Sequence, residues 1–198
     1  MNTTVTIHSK ASFDFPLFKE YLDIPELQLR HHFEVPGESM NWYFYREGKS
    51  TTLFIISYNL KDTYTISIDN LAAYEDLKFF PYLVDTLTKY LDGSMNINHI
   101  YQQMNEEWVE NTISEEIARL KGILTVVPRY FFAQAFNDFY YVSEDILYPF
   151  GVNLHSSTPR IYGYIQYMLR NDLLPSFDDW DEIPIDNLDE EVEVDIPQ

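Results

Sequence analysis

The chain has 198 residues, with 13 Lys and Arg against 32 Asp and Glu, no Cys, and a formal net charge of −19. At 45% hydrophobic and 17% aromatic residues it carries enough apolar material for a core, which excludes a wholly disordered acidic chain. Without cysteine it cannot form disulfides, thiolate zinc sites, cysteine-ligated iron–sulfur clusters or a thiol nucleophile.

Several elements can be read in chain order. Val5 and Ile7 alternate with Thr4 and Thr6 as an edge strand, and residues 15–22 form a short helix entered through Pro16. A strand-rich block covers residues 29–68. In it Trp42 and Phe44 alternate with Tyr43 and Tyr45, and Tyr64, Ile66 and Ile68 alternate with Thr63, Thr65 and Ser67. Leu53, Phe54, Ile55 and Ile56 run without a polar break, as in a central strand covered on both faces, and residues 47–50 suit a hairpin turn.

From Asp76 the period becomes helical. Phe80, Leu83, Val84, Leu87 and Leu91 share one face, with Gly93 as a stop. Ile97, Ile100, Tyr101, Met104 and Trp108 repeat that spacing as a second helix. Thr112 with Glu115 reads as a capping box for a third, ended by Gly122. Residues 123–132 are β-branched and aromatic, and with residues 138–142 they predict a hairpin across Ala135, Phe136 and Asn137. Thr158 and Pro159 open a final segment that fits a helix or a strand.

The expected fold class is α+β, a mainly antiparallel sheet with two or three helices packed on one face. It occupies residues 1–175 as one domain: strand-rich over 1–70, helical over 76–121, and a hairpin with a final helix or strand over 122–175. An acidic tail follows over residues 176–198. The start of the chain lacks a signal-peptide pattern and no window approaches 18 apolar residues, so a soluble, cytoplasmic protein is expected.

Catalytic patterns are sparse. Six glycines leave little for a phosphate-cradling loop, and no nucleotide, zinc-protease or serine-hydrolase motif occurs. His31 and His32 are adjacent, so on a strand they point to opposite faces and cannot share one metal. Ser156 and Ser157 beside His155 read as loop. Glu106, Glu107, Glu115 and Glu116 read as solvated helix positions rather than catalytic pairs. Neither cofactor nor metal is expected.

The charge is unevenly placed. Residues 176–198 hold ten acids and no Lys or Arg, leaving 22 acids against 13 bases before them. Such charge repels phosphate backbones and anionic lipids and attracts basic proteins, so neither direct nucleic-acid binding nor membrane binding is expected. Asp178, Asp179, Asp181 and Glu182 surround Trp180 as a candidate partner-binding cluster of charges and an aromatic anchor. Glu191, Glu193 and Asp195 alternate with Val192, Val194 and Ile196, a pattern suited to strand addition on this protein's own sheet or on a basic partner. In size, charge and lack of motifs the chain resembles small acidic immunity proteins as a class, a likeness of composition that carries no residue over. The expected function is a non-enzymatic binding protein that neutralises a basic partner, such as an interbacterial toxin or a nuclease. The alternatives are an acidic adaptor or scaffold and a hydrolase using paired carboxylates.

Overall fold

The computed structural model describes residues 2–95, 104–127, 131–134 and 139–174. Its architecture is α+β. Strands β1 (Asn2–His8), β2 (Leu27–Val35), β3 (Ser39–Arg46), β4 (Phe54–Tyr58), β5 (Thr63–Asp69) and β6 (Ser94–Met95) form one antiparallel sheet in the order β2-β3-β4-β5-β1-β6. Four helices of eight or more residues occur among the described ones, where two or three are expected: α1 (Phe15–Leu22), α2 (Tyr74–Tyr90), α3 (Glu106–Val126) and α5 (Thr158–Arg170); the additional one is the final segment, whose sequence fits either a helix or a strand. A hairpin of β7 (Phe131–Gln134) and β8 (Phe139–Val142) and a four-residue α4 (Glu144–Leu147) lie between α3 and α5.

Strand pairing aligns the apolar positions into rows. Trp42, Ile56, Ile66 and Val5 form one, and Phe44, Phe54 and Ile68 another. All seven are buried and belong to a hydrophobic cluster that also holds Phe18 of α1, Phe80 of α2, Ile117 of α3 and Ile165 of α5. The opposite rows, such as Tyr43, Ile55, Ser67 and Thr4, are half-buried or exposed. A period-two pattern with one oily face therefore becomes a sheet with one covered face. Ile55 is half-buried, so β4 is central but not covered equally on both sides.

The predicted α1 matches the structure residue for residue. The Asp14 carboxylate accepts a hydrogen bond from Leu17 N at 2.9 Å, Pro16 occupies the first turn, and Asp23 closes the helix at φ 55°. The final segment is helical, because Ile161, Ile165, Met168 and Leu169 bury one stripe.

Three further expectations change. First, β1 is not the edge: it lies between β5 and the two-residue β6, because Ile7 is fully buried by the turn after α2. Gly93 makes that approach possible, since a Cβ there would lie 2.7 Å from Ile7 Cγ2 and 3.2 Å from the His8 carbonyl oxygen. We expect Gly93→Ala to lower unfolding free energy by about 1–3 kcal/mol, the usual cost of overpacking, in urea titrations; an unchanged midpoint would refute the close fit.

Second, Thr112 caps nothing. It is buried inside α3, whose cap is Asn105, with Oδ1 accepting from Trp108 N at 3.0 Å. The predicted helix through Ile97 and Ile100 lies largely outside the described residues. Third, α3 passes through Gly122 to Val126, so residues 123–126 are helical rather than strand. Val109, Ile113, Ile117, Leu120 and Leu124 make one continuous buried stripe, and that burial outweighs the roughly 1 kcal/mol cost of a helical glycine and the β-preference of the sequence after it. The hairpin begins later, at Phe131, and its predicted turn at residues 135–137 lies outside the described residues. Among the described residues no helix is long and apolar enough to cross a membrane.

Candidate partner-binding cleft

The residues singled out in the tail, Asp178, Asp179, Trp180, Asp181, Glu182, Glu191, Glu193 and Asp195, lie outside the described residues. Within the described part, acid and aromatic groups meet in a cleft of about 410 Å³ between α2, α3 and α5, lined by Tyr74, Glu110, Ile113, Ser114, Thr158, Pro159 and Tyr162.

Each wall is held from behind. The Tyr162 hydroxyl donates to the Ala72 carbonyl at 2.7 Å, fastening α5 to the segment before α2. Burial, assisted by the nearby Asp76 charge, keeps that phenol protonated far above the ordinary tyrosine range. Behind it, Thr51 Oγ1 donates to Gln166 Oε1 at 2.9 Å, and Gln166 Nε2 donates to the Leu71 carbonyl at 2.5 Å. Tyr74 receives the Lys78 ammonium over its ring at 5.6 Å. Lys78 in turn donates to Glu106 at 3.0 Å, an exposed pair that raises the lysine pKa chiefly through this bond.

On α3, Glu106, Glu107 and Glu115 are exposed as expected, and Glu110 is exposed too; Glu106 and Glu107, in the first turn, complement the helix dipole. Glu116 departs from expectation. It is buried, accepts from Asn70 Nδ2 at 3.5 Å, and is bonded by the Arg119 guanidinium. Glu110 is the charged side chain among the residues lining the cleft, which also include Tyr74 and Tyr162. Such a wall suits a cation: aromatic faces attract it, and the carboxylate completes the pairing.

A second cleft, of about 390 Å³, opens between the segment entering α1 and the start of the sheet. It is lined by Phe13, Leu29, His32, Met40, Trp42 and Tyr58, among others. The His32 ring stacks on Trp42 with centroids 5.1 Å apart, while His31 packs on Tyr43 at 4.4 Å. The two imidazoles thus take opposite faces, as their adjacency on a strand requires.

The buried acids line neither cleft. Asp76 accepts from Arg46 Nε at 2.9 Å and Nη2 at 2.6 Å. Asp69 accepts from Leu71 N at 2.7 Å, and burial pushes its carboxyl up to about 6. These bonds join strands to the turns and helices that follow them. His155, Ser156 and Ser157 form the loop before α5, with Asn153 N donating to Ser156 Oγ at 3.1 Å. Among the described residues no three His, Asp or Glu side chains are grouped to hold a metal ion. The α2–α3–α5 cleft leaves no signature in the sequence, because Tyr74, Glu110 and Tyr162 share no motif and line one cleft only after folding. No family model matches the chain, and neither a characterised protein nor a solved structure is similar to it.

Proposed function

We propose that this protein binds and occludes a basic protein partner, in the manner of an immunity protein or nuclease inhibitor, and that the α2–α3–α5 cleft takes a lysine or arginine side chain of that partner. The observation that carries this reading is Glu110 set in a wall with Tyr74 and Tyr162, on a chain of net charge −19. The long-range charge steers the encounter, and the cleft provides the desolvated anchor on which most binding energy concentrates. The tail cluster Asp178, Asp179, Trp180, Asp181 and Glu182 supplies further steering charge.

Partner capture on the immobilised full chain, with low-salt and then high-salt washes and mass spectrometry, identifies the partner. Against that purified partner, Glu110→Lys is expected to weaken affinity about tenfold or more through faster dissociation. Glu38→Lys, the same charge change on the β2–β3 turn, should mainly slow association. Equal effects of the two variants, or loss of every captured species at high salt, would refute the anchored reading.

A further inference from the structure

The sheet has two unequal ends. At one, β6 contributes two residues; at the other, β2 runs for nine, and no strand pairs with its outer side among the described residues. A long strand edge exposes backbone donors and acceptors that favour pairing with another extended segment, and folded proteins blunt such edges with Lys, Pro or a bulge. On β2 that protection is partial. The strand contains neither Lys nor Pro, and its register shift between Leu29 and His31 leaves the five residues from His31 to Val35 regularly paired with β3.

This stretch is open on its faces as well as along its edge. Residues 29–34 are all exposed, although Leu29 and His32 pair with the buried Phe44 and Trp42. Phe33 is 56% exposed, a large apolar side chain on the outermost strand. His31, Phe33 and Val35 take one face of the strand, and His32 and Glu34 the other.

The segment is also complementary to itself. When two copies run antiparallel about a two-fold axis at Phe33, that ring faces Phe33 of the second copy, His32 faces Glu34, and His31 faces Val35. Aromatic meets aromatic, and the imidazole, which has an N–H donor whether neutral or protonated, offers it to the carboxylate. The neighbouring registers are poorer. An axis at Glu34 sets two carboxylates against each other, and an axis at His32 draws in Arg30 at the register shift.

We propose that two copies of this protein pair through residues 31–35 of β2, antiparallel about Phe33, so that their sheets join edge to edge across a two-fold axis. Five residues a side fall short of the roughly 20–30 in a standard interface, so the pairing is weak and reversible. Two chains of net charge −19 repel each other, so it tightens as salt screens them. That sign is opposite to the one expected for steering of a basic partner, and the α2–α3–α5 cleft has no part in the pairing.

The absence of cysteine allows the register to be tested by mixing full-length chains that each carry one. Facing residues on neighbouring strands have Cβ atoms about 4.5–5.5 Å apart, close enough for a disulfide with slight adjustment. Under mild oxidation, His31→Cys mixed with Val35→Cys, and His32→Cys mixed with Glu34→Cys, are expected to give mixed disulfides. His31→Cys mixed with Glu34→Cys, on opposite faces, should give at least about tenfold less. Equal yields from facing and non-facing pairs, or no mixed disulfide at all, would overturn the proposal. Sedimentation equilibrium of the cysteine-free chain at up to about 1 mM is the second measurement, with a dimer expected that is tighter at about 0.5 M than at about 0.05 M salt. Phe33→Glu leaves the core untouched and sets like charges face to face, so it should weaken the dimer at least about tenfold. A monomer at every concentration, looser association at higher salt, or a dimer indifferent to Phe33→Glu would each overturn it as well.

Discussion

Asp69→Asn is expected to stabilise the protein at neutral pH and to remove much of its pH dependence between about pH 4 and 7. Asp69 ends β5 and is buried; its carboxyl rises from 3.8 to about 6, first because burial disfavours the charge, with the nearby Glu116 charge adding to the effect. The bond from Leu71 N and the Arg119 charge oppose that rise without cancelling it. Since the folded state holds this proton more tightly than the unfolded chain, stability from this group is fully present below pH 3.8 and is lost as pH rises through 6. The difference of about two pKa units corresponds to about 3 kcal/mol. Asn keeps the shape and an acceptor for Leu71 N but cannot ionise. Urea unfolding of both proteins from pH 4 to 8 should give a stability difference near zero at the acid end, growing to about 2–3 kcal/mol in favour of Asn above pH 7. A constant difference across that range would show that the Asp69 carboxyl does not titrate as its burial implies.

This carboxylate illustrates which parts of the molecule can be read from sequence. Elements whose pattern is local are legible: the alternation of Trp42 and Phe44 with Tyr43 and Tyr45, the Pro16 start of α1, and the stripe from Phe80 to Leu91. Each depends on neighbours within one turn or one strand. What was not legible depends on partners far along the chain. Thr51 bonds Gln166 115 positions away, and Tyr162 reaches Ala72 across 90. Sequence alone places Glu116 on a solvated helix face, because local charge pattern cannot register the Asn70 side chain that meets it from the end of β5. The α3 boundary failed for a related reason. Gly122 and the β-branched residues after it disfavour helix locally, while burial of Leu124 extends it. Of the two clefts, the aromatic one draws on the segment before α1 and on β2, β3, β4 and β5, and the other on three helices, so neither leaves a contiguous signature.

The largest loss of stability is expected from Arg46→Ala. Arg46 is the last residue of β3 and only 8% exposed, and both Nε and Nη2 bond one oxygen of Asp76 in the first turn of α2. Its guanidinium also lies 4.6 Å from the centre of the Phe79 ring. Burial raises the Asp76 carboxyl while Arg46 acts to lower it, so the arginine is what makes an ionised acid tolerable there. Removing it leaves a fully buried carboxyl without its cation, an arrangement that costs about 3–5 kcal/mol, a large share of the roughly 5–15 kcal/mol available to a folded domain. Truncating both partners and replacing them with apolar groups should be far milder, because no charge is then stranded. In a double-mutant cycle of Arg46→Met, Asp76→Leu and the two combined, the combined variant is therefore expected to be more stable than Arg46→Met alone, whereas additive losses would show that the two side chains act independently. Such a cycle separates the desolvation cost of the pair from its attraction, and it tests whether this contact joins the strand-rich half of the chain to the helices that build the cleft.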